Sequence, residues 1–148
     1  EGLVLPCAHP AIVLTDDLDH YEKLKLFLLN LGHSYLAERW TQDARASDET
    51  VRQAMGDDAL VTDLETLWRD EVLPVFAAEG MGDEAEVYIS VLRERLRNPF
   101  LAHRLADIAG NHDEKKRRRF IPIIAAAERL GLNLPQHGLR AALATIKQ

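Results

Sequence analysis

Tyr21-Glu-Lys-Leu-Lys-Leu-Phe-Leu-Leu-Asn-Leu-Gly-His-Ser34 is a strongly apolar run interrupted by three polar residues, Lys25, Asn30 and His33. On an ideal α-helix each residue turns the chain by about 100°. Taking Lys25 as zero, His33 then lies about 80° round, Asn30 lies about 140° round, and the span from Lys25 to His33 is roughly 12 Å. An ammonium, an amide and an imidazole therefore look out over one side of one helix, where a hydroxyl-bearing ligand could meet all three. The bland reading is that each is a solvated or locally satisfied helix side chain, and spacing alone leaves both readings open.

Around this stretch the pattern predicts a helix from about Leu18 to Trp40, opened by Thr15-Asp16-Asp17 with acids at the positive end of the dipole. Leu24, Phe27, Leu28, Leu31 and Leu36 form an apolar surface broader than one stripe, which suits a central, mostly buried helix. Gly32 sits inside it at a cost of about 1 kcal/mol against Ala. It permits a close approach, of a ligand or of a tightly packed neighbour. Upstream, residues 1 to 14 read as extended. The apolar runs Leu3-Val4-Leu5 and Ala11-Ile12-Val13-Leu14 are separated by Pro6 and Pro10, as in an edge strand or a connection leaving another domain.

Downstream the signals are helical throughout. Ser47 is expected to cap a short helix through Met55, ended by Gly56. A longer helix runs from Asp58 to Glu79, with Leu60, Leu64, Leu67, Trp68, Val72, Val75 and Phe76 inward and a kink at Pro74. Asp83 opens another, with Val87, Ile89, Leu92 and Leu96 inward, ending near Asn98-Pro99. Leu101 to Ala109 reads as a shorter helix. The next spans Asp113 to Leu130, bent at Pro122 and stopped by Gly131, and a last one follows Pro135 or Gln136 to the C-terminus. The fold class is all-α, with about seven helices joined by short loops after a short extended N-terminal segment. There is no internal repeat, and the 148 residues suit a single domain, 1–148, with one core.

Composition narrows the function. The chain starts at Glu1 rather than Met, as a processed product or a piece of a longer protein would. Its net charge of -6 argues against a general nucleic-acid binder. Cys7 is the single cysteine, so no internal disulfide is possible, and with no signal peptide in view a cytoplasmic location is the default. No apolar run approaches the roughly 18 residues of a membrane span. The six histidines show no metal-ligand spacing and no Gly-x-Ser-x-Gly elbow occurs, so neither a metal nor a serine nucleophile is expected. Gly80-Met-Gly82-Asp-Glu-Ala85 fits the loose dinucleotide pattern G-x-G-x-x-A. A helix precedes it and acids stand where a pyrophosphate would lie, so it reads as a helix–helix loop. Lys115-Lys-Arg-Arg-Arg119 is the densest positive charge. Most of it reads as a solvated first turn of a helix, yet near a helix N-terminus such charge opposes the dipole, which an anionic ligand or an acidic neighbour would offset. The tail Arg129–Arg140 imitates a helix-turn-helix only weakly, given its Pro, its Gly and its few basic residues.

The pattern Asp16-Asp17, Tyr21-Glu22, Lys25-Leu26-Phe27-Leu28-Leu29-Asn30-Leu31-Gly32-His33-Ser34 resembles the polyol-specific long-chain dehydrogenases, the mannitol dehydrogenase family that includes mannonate and tagaturonate reductases. A second block is similar: Arg97-Asn98-Pro99, His103-Arg104, Ile108-Ala109, Lys115, Arg119 and Pro122 fall at the family's spacings. The resemblance implies two domains. An N-terminal Rossmann-type domain, absent from this chain, would hold NAD or NADP, and this chain would be the helical C-terminal domain carrying the catalytic lysine.

It further implies that Lys25 is the general base in alcohol oxidation and the acid in ketone reduction. Asn30 would donate to the developing oxyanion, and His33 would hold a substrate hydroxyl. Such a lysine works best when burial and nearby positive charge lower its pKa to about 7 or 8. Lys115, Arg119 and Arg104 are the implied contacts to the rest of a polyol or hexuronate substrate. The chemistry would be metal-independent, and the isolated domain would be inactive without its nucleotide partner. The second block departs from the family at Gly110-Asn111-His112, where relatives carry Asp-Gly-Ser, which bears on substrate identity. The competing reading is a non-catalytic helical interaction module whose basic run docks an acidic partner.

Overall fold

The computed structural model describes residues 19–98 and 103–146. The extended N-terminal segment, the Asp16-Asp17 helix start, Cys7 and Pro99 lie outside the described residues. Within them the chain forms seven helices and no strand, the all-α class read from the sequence.

Helix α1, residues 19–42, is the centre of the fold. Leu24, Leu28, Leu31 and Tyr35 recur at helical spacing and are buried, with Leu28 and Leu31 fully so. Its course is not uniform: Lys25–Asn30 is a π turn, after which Leu31–Gln42 is α-helical. A side chain meets this turn at Gly32. A Cβ there would lie 3.1 Å from Cζ2 of Trp68, so the glycine serves tight packing against an indole.

Helix α2, Val51–Ala54, starts at Thr50 rather than at Ser47. Thr50 Oγ1 accepts from the Gln53 N–H at 3.2 Å, and Gln53 Oε1 accepts from the Thr50 N–H at 2.9 Å. That reciprocal box needs Glu or Gln three residues on, which Thr50 has and Ser47 lacks. Helix α3 covers residues 58–78, capped by Asp57 Oδ1, which accepts from the N–H groups of Ala59 and Leu60. The kink expected at Pro74 takes the form of a second π turn, Trp68–Val72, just ahead of it. Pro74 has no N–H for the ladder, and the Leu73 N–H reaches five residues back to the Trp68 carbonyl.

Gly80, at φ 82°, closes α3. Helix α4, Gly82–Leu96, follows at once, so Gly80–Ala85 is a helix–helix turn and the start of a helix. Ala85, Ile89, Leu92 and Leu96 face the core, but Val87 is 66% exposed. The inward placement of Val87 is thereby corrected, since two residues from Ile89 is about 200° of rotation and puts it on the opposite face.

Helix α5, Leu105–Ile108, is shorter than the expected 101–109. Its lead-in is extended because the backbone pairs elsewhere: the Val51 N–H donates to the His103 carbonyl at 2.8 Å and the Leu105 N–H to the Glu49 carbonyl at 3.0 Å. Helix α6, His112–Arg129, runs through Pro122, and Gly131 at φ 71° follows it. Helix α7, His137–Ala144, ends the described chain.

Two polar joints lock these helices together. The carboxylate of Glu71, in the π turn of α3, accepts from the N–H groups of Gly138 at 3.0 Å and Leu139 at 2.9 Å, capping α7 from outside. Lys116, only 1% exposed, donates to Glu38 Oε1 (2.8 Å), the Ala142 carbonyl (2.7 Å) and Thr145 Oγ1 (2.7 Å). His112 Nε2 meets the same Glu38 oxygen at 2.9 Å. Burial works to raise the Glu38 carboxyl. The donors Lys116, Thr145 and His112 outweigh it and hold the group below the ordinary carboxylate value.

Candidate functional site

The π turn changes the geometry of the decisive stretch. The Leu31 N–H bonds back to the Leu26 carbonyl, five residues away, as well as to Leu28. With bonds of that span, residues five apart lie closer together round the axis than on an α-helix. Lys25 and Asn30 are five apart, and both line one cleft of about 270 Å³ with Asp19, Glu22, Lys23 and Leu26. Lys25 is exposed and Asn30 half-buried, so this chain does not by itself remove Lys25 from water.

His33 lies one helical turn further on and is not among the residues lining that cleft. Its ring stands edge-on to that of His103, with centroids 5.5 Å apart and planes at 81°. Burial, and then the proximity of His103, Arg119, Arg95 and Lys115, push its pKa down to about 4, which leaves it neutral at pH 7. A neutral imidazole carries one donor and one acceptor, which suits a substrate hydroxyl better than an imidazolium does.

The two cations expected from α6 lie near His33 and are held by backbone. Arg119 Nη1 donates to the Asn30 carbonyl at 3.2 Å and to Ser34 Oγ at 2.8 Å. Lys115 Nζ donates to the Ile108 carbonyl at 2.9 Å, closing the C-terminal end of α5. Burial and then the charges of Arg119 and Arg118 lower the Lys115 pKa. Arg104 turns to its own helix, with Nε 3.7 Å from Asp107 Oδ2 in an exposed pair. The basic run thus divides into Lys115 and Arg119 beside His33, Lys116 in the buried joint with Glu38, and Arg117 and Arg118 exposed to solvent. The acidic neighbour that the run called for is, for Lys116, Glu38 of the same chain.

His103, Ser34 and Trp68 were assigned no role from the sequence. His103 had a signal in the block it shares with Arg104. Ser34 and Trp68 had none beyond a polar residue after His33 and an apolar position on α3. Trp68 Nε1 donates to the carbonyl of Leu28 at 3.2 Å, inside the π turn. Among the described residues no group of three or more His, Cys, Asp and Glu could hold a metal ion, and no helix is long and apolar enough to cross a membrane.

The family model for the mannitol dehydrogenase C-terminal domain matches residues 17–146. Altronate oxidoreductases of Escherichia coli strain K12 and of Escherichia coli O157:H7 strain EC4115 are each 32% identical to the chain over 124 residues, 84% of this chain and 25% of theirs. The chain therefore spans a quarter of the length of these relatives. No solved structure gives a significant match.

Proposed function

Because this chain belongs to the mannitol dehydrogenase C-terminal domain family, we propose that it is the substrate-side, proton-transferring part of a metal-independent, NAD(P)-dependent oxidoreductase. The enzyme would interconvert a sugar alcohol or hydroxy sugar acid and its keto form. The observation that carries the reading is that Lys25 and Asn30, at the two ends of the π turn, line one cleft. Lys25 takes the hydroxyl proton in oxidation and returns it in reduction. Asn30 donates an amide N–H to the oxygen as negative charge develops on it. His33, neutral at pH 7, holds a neighbouring hydroxyl.

A nicotinamide nucleotide would supply the hydride chemistry. The chain's own Gly80–Ala85 does not fit one, since it forms a helix–helix turn with Asp83 and Glu84 in the first turn of α4. The reading accordingly places the nucleotide on a domain outside this chain.

Lys115 and Arg119 beside His33 favour a substrate with a carboxylate over a neutral polyol. Altronate, named in the relatives, is such an acid. Arg104 would contact substrate only by leaving Asp107. One observation favours the second reading, an interaction module: Tyr21, Val87 and Val91 are 51%, 66% and 53% exposed around one open groove.

The test uses the full-length gene product, wild type beside Lys25→Ala, with nicotinamide absorbance followed over sugar acids and sugar alcohols. Turnover of one class, abolished in Lys25→Ala with nucleotide binding retained, supports the assignment. Retained turnover in the variant removes Lys25 as the base.

A further inference from the structure

Lys25 and Asn30 share a cleft across a π turn of α1, and an isolated helix has little reason to adopt such a turn, because π-helical turns are rare and occur as single bulges. What holds this one comes from outside the helix. Trp68, 1% exposed, donates its indole N–H to the Leu28 carbonyl at 3.2 Å, across 40 residues of sequence. On the flank of α6, Arg119 donates to the Asn30 carbonyl at 3.2 Å. A wider turn tilts carbonyls out of the ladder, and in this one two of them accept from side chains of other helices. Two local features serve the first contact. Gly32 leaves room for the indole, whose Cζ2 would lie 3.1 Å from any Cβ at that position. Trp68 itself opens the second π turn, Trp68–Val72, which packs against the first. Trp68 touches neither Lys25 nor Asn30 in any hydrogen bond; its reach to them is through the backbone of Leu28.

We propose that Trp68 is a positioning residue for the Lys25–Asn30 pair: its indole N–H, bonded to the Leu28 carbonyl, holds α1 in the π register that sets the ammonium and the amide on one cleft. The inference rests on the reading that this pair performs proton transfer and oxyanion binding. It extends that reading to a residue that makes no contact with the substrate. Without the indole donor, the buried Leu28 carbonyl loses a partner, and the segment recovers its bonds by relaxing to the α register. Lys25 and Asn30 then diverge round the helix.

The experiment separates the donor from the shape. In the full-length gene product, Trp68 is replaced by benzothienylalanine, whose sulfur stands where the indole N–H was while the ring outline is kept. Trp68→Phe is made beside it, and crystal structures of both are compared with wild type. The expected result is that the Leu31 N–H moves from the Leu26 carbonyl to that of Phe27 in both variants. The kcat should fall by about tenfold to a hundredfold, the scale of a misplacement near 1 Å, with KM changed less than about twofold. A smaller loss confined to Trp68→Phe, with the benzothienyl protein unchanged, would reflect a cavity and overturn the proposal. So would an intact Leu31-to-Leu26 bond in the benzothienyl protein. If Lys25→Ala retains activity the catalytic reading fails, and the crystallographic arm still decides whether the indole donor sets the register.

Discussion

At the residue scale, His33 is the side chain whose state the structure defines most sharply. Its folded pKa of about 4 lies below the ordinary 6.5, so the unfolded chain takes up its proton first on acidification. His33 therefore contributes a loss of stability as pH falls from 6.5 towards 4 and nothing above that range. We predict that the His33 ring proton, followed by NMR, titrates near 4, and that an acid limb near pH 6.5 in the rate profile does not belong to His33. A midpoint near 6.5 would mean that the ring is solvated and not enclosed by His103 and the cations. Lys115 gives a second test. Its ammonium is fixed by the Ile108 carbonyl beside His33, and a charge-assisted contact to a carboxylate is worth about 1.5–3 kcal/mol. Lys115→Ala should raise KM for a sugar acid by about tenfold to a hundredfold and leave KM for a neutral polyol nearly unchanged. Equal effects on both would remove the carboxylate contact.

At the element scale, the joint between α3 and α7 is the most exacting. A Cβ at Gly138 would lie 2.7 Å from Leu67 Cδ1 and 2.8 Å from Glu71 Oε2. Gly138→Ala is therefore expected to cost about 1–3 kcal/mol, the range of overpacking in a well-filled core, measured by denaturant unfolding. Gly56→Ala is the control, because its nearest atom is the Gln53 carbonyl at 3.2 Å, outside any helix–helix contact. If both substitutions cost the same, α7 is not seated against Glu71 as described. The same joint seats the start of α7 against the core, with the buried Gln136 donating to the Glu71 carbonyl at 2.9 Å.

At the scale of the whole molecule, Lys116 and Glu38 bind the C-terminal ends of α1 and α7 to the N-terminal part of α6. Removing one member of a buried ion pair leaves the other charged and unpaired, at a cost of about 3–5 kcal/mol. Lys116→Ala should lower stability by that amount, and a Lys116→Met, Glu38→Met double variant should recover much of it. A double variant as unstable as the single would show that the hydrogen bonds to Ala142 and Thr145, and not the charge pair, hold the joint. Because the Glu38 pKa is depressed in the folded state, its contribution is present above the ordinary carboxylate value of 4.5 and is lost as pH falls through the lower folded value. The unfolding free energy of Glu38→Gln should fall less steeply than that of wild type as pH drops below 4.5, followed by denaturant unfolding.

Much of this protein was legible from residue order alone. The 3.6-residue recurrence of Leu24, Leu28 and Leu31, the Asp58 start and the Gly131 stop, and helical signals throughout the downstream chain determined an all-α class with about seven helices. The family pattern from Lys25 to Ser34 marked Lys25, Asn30 and His33. Those features are local, carried by side-chain volume and backbone preference within a turn or two. Tertiary structure decided the rest. Sequence periodicity assumes one rotation per residue, and it put Asn30 about 140° round from Lys25 on one broad side of the helix. The π turn between them is supported by donors 40 and 89 residues distant, Trp68 on Leu28 and Arg119 on Asn30. The pairing of His103 with His33, the extended lead-in to α5 and the division of the basic run between site, buried joint and solvent have the same origin. Each depends on where a carbonyl or a carboxylate from another helix comes to lie, and no spacing within one helix encodes that.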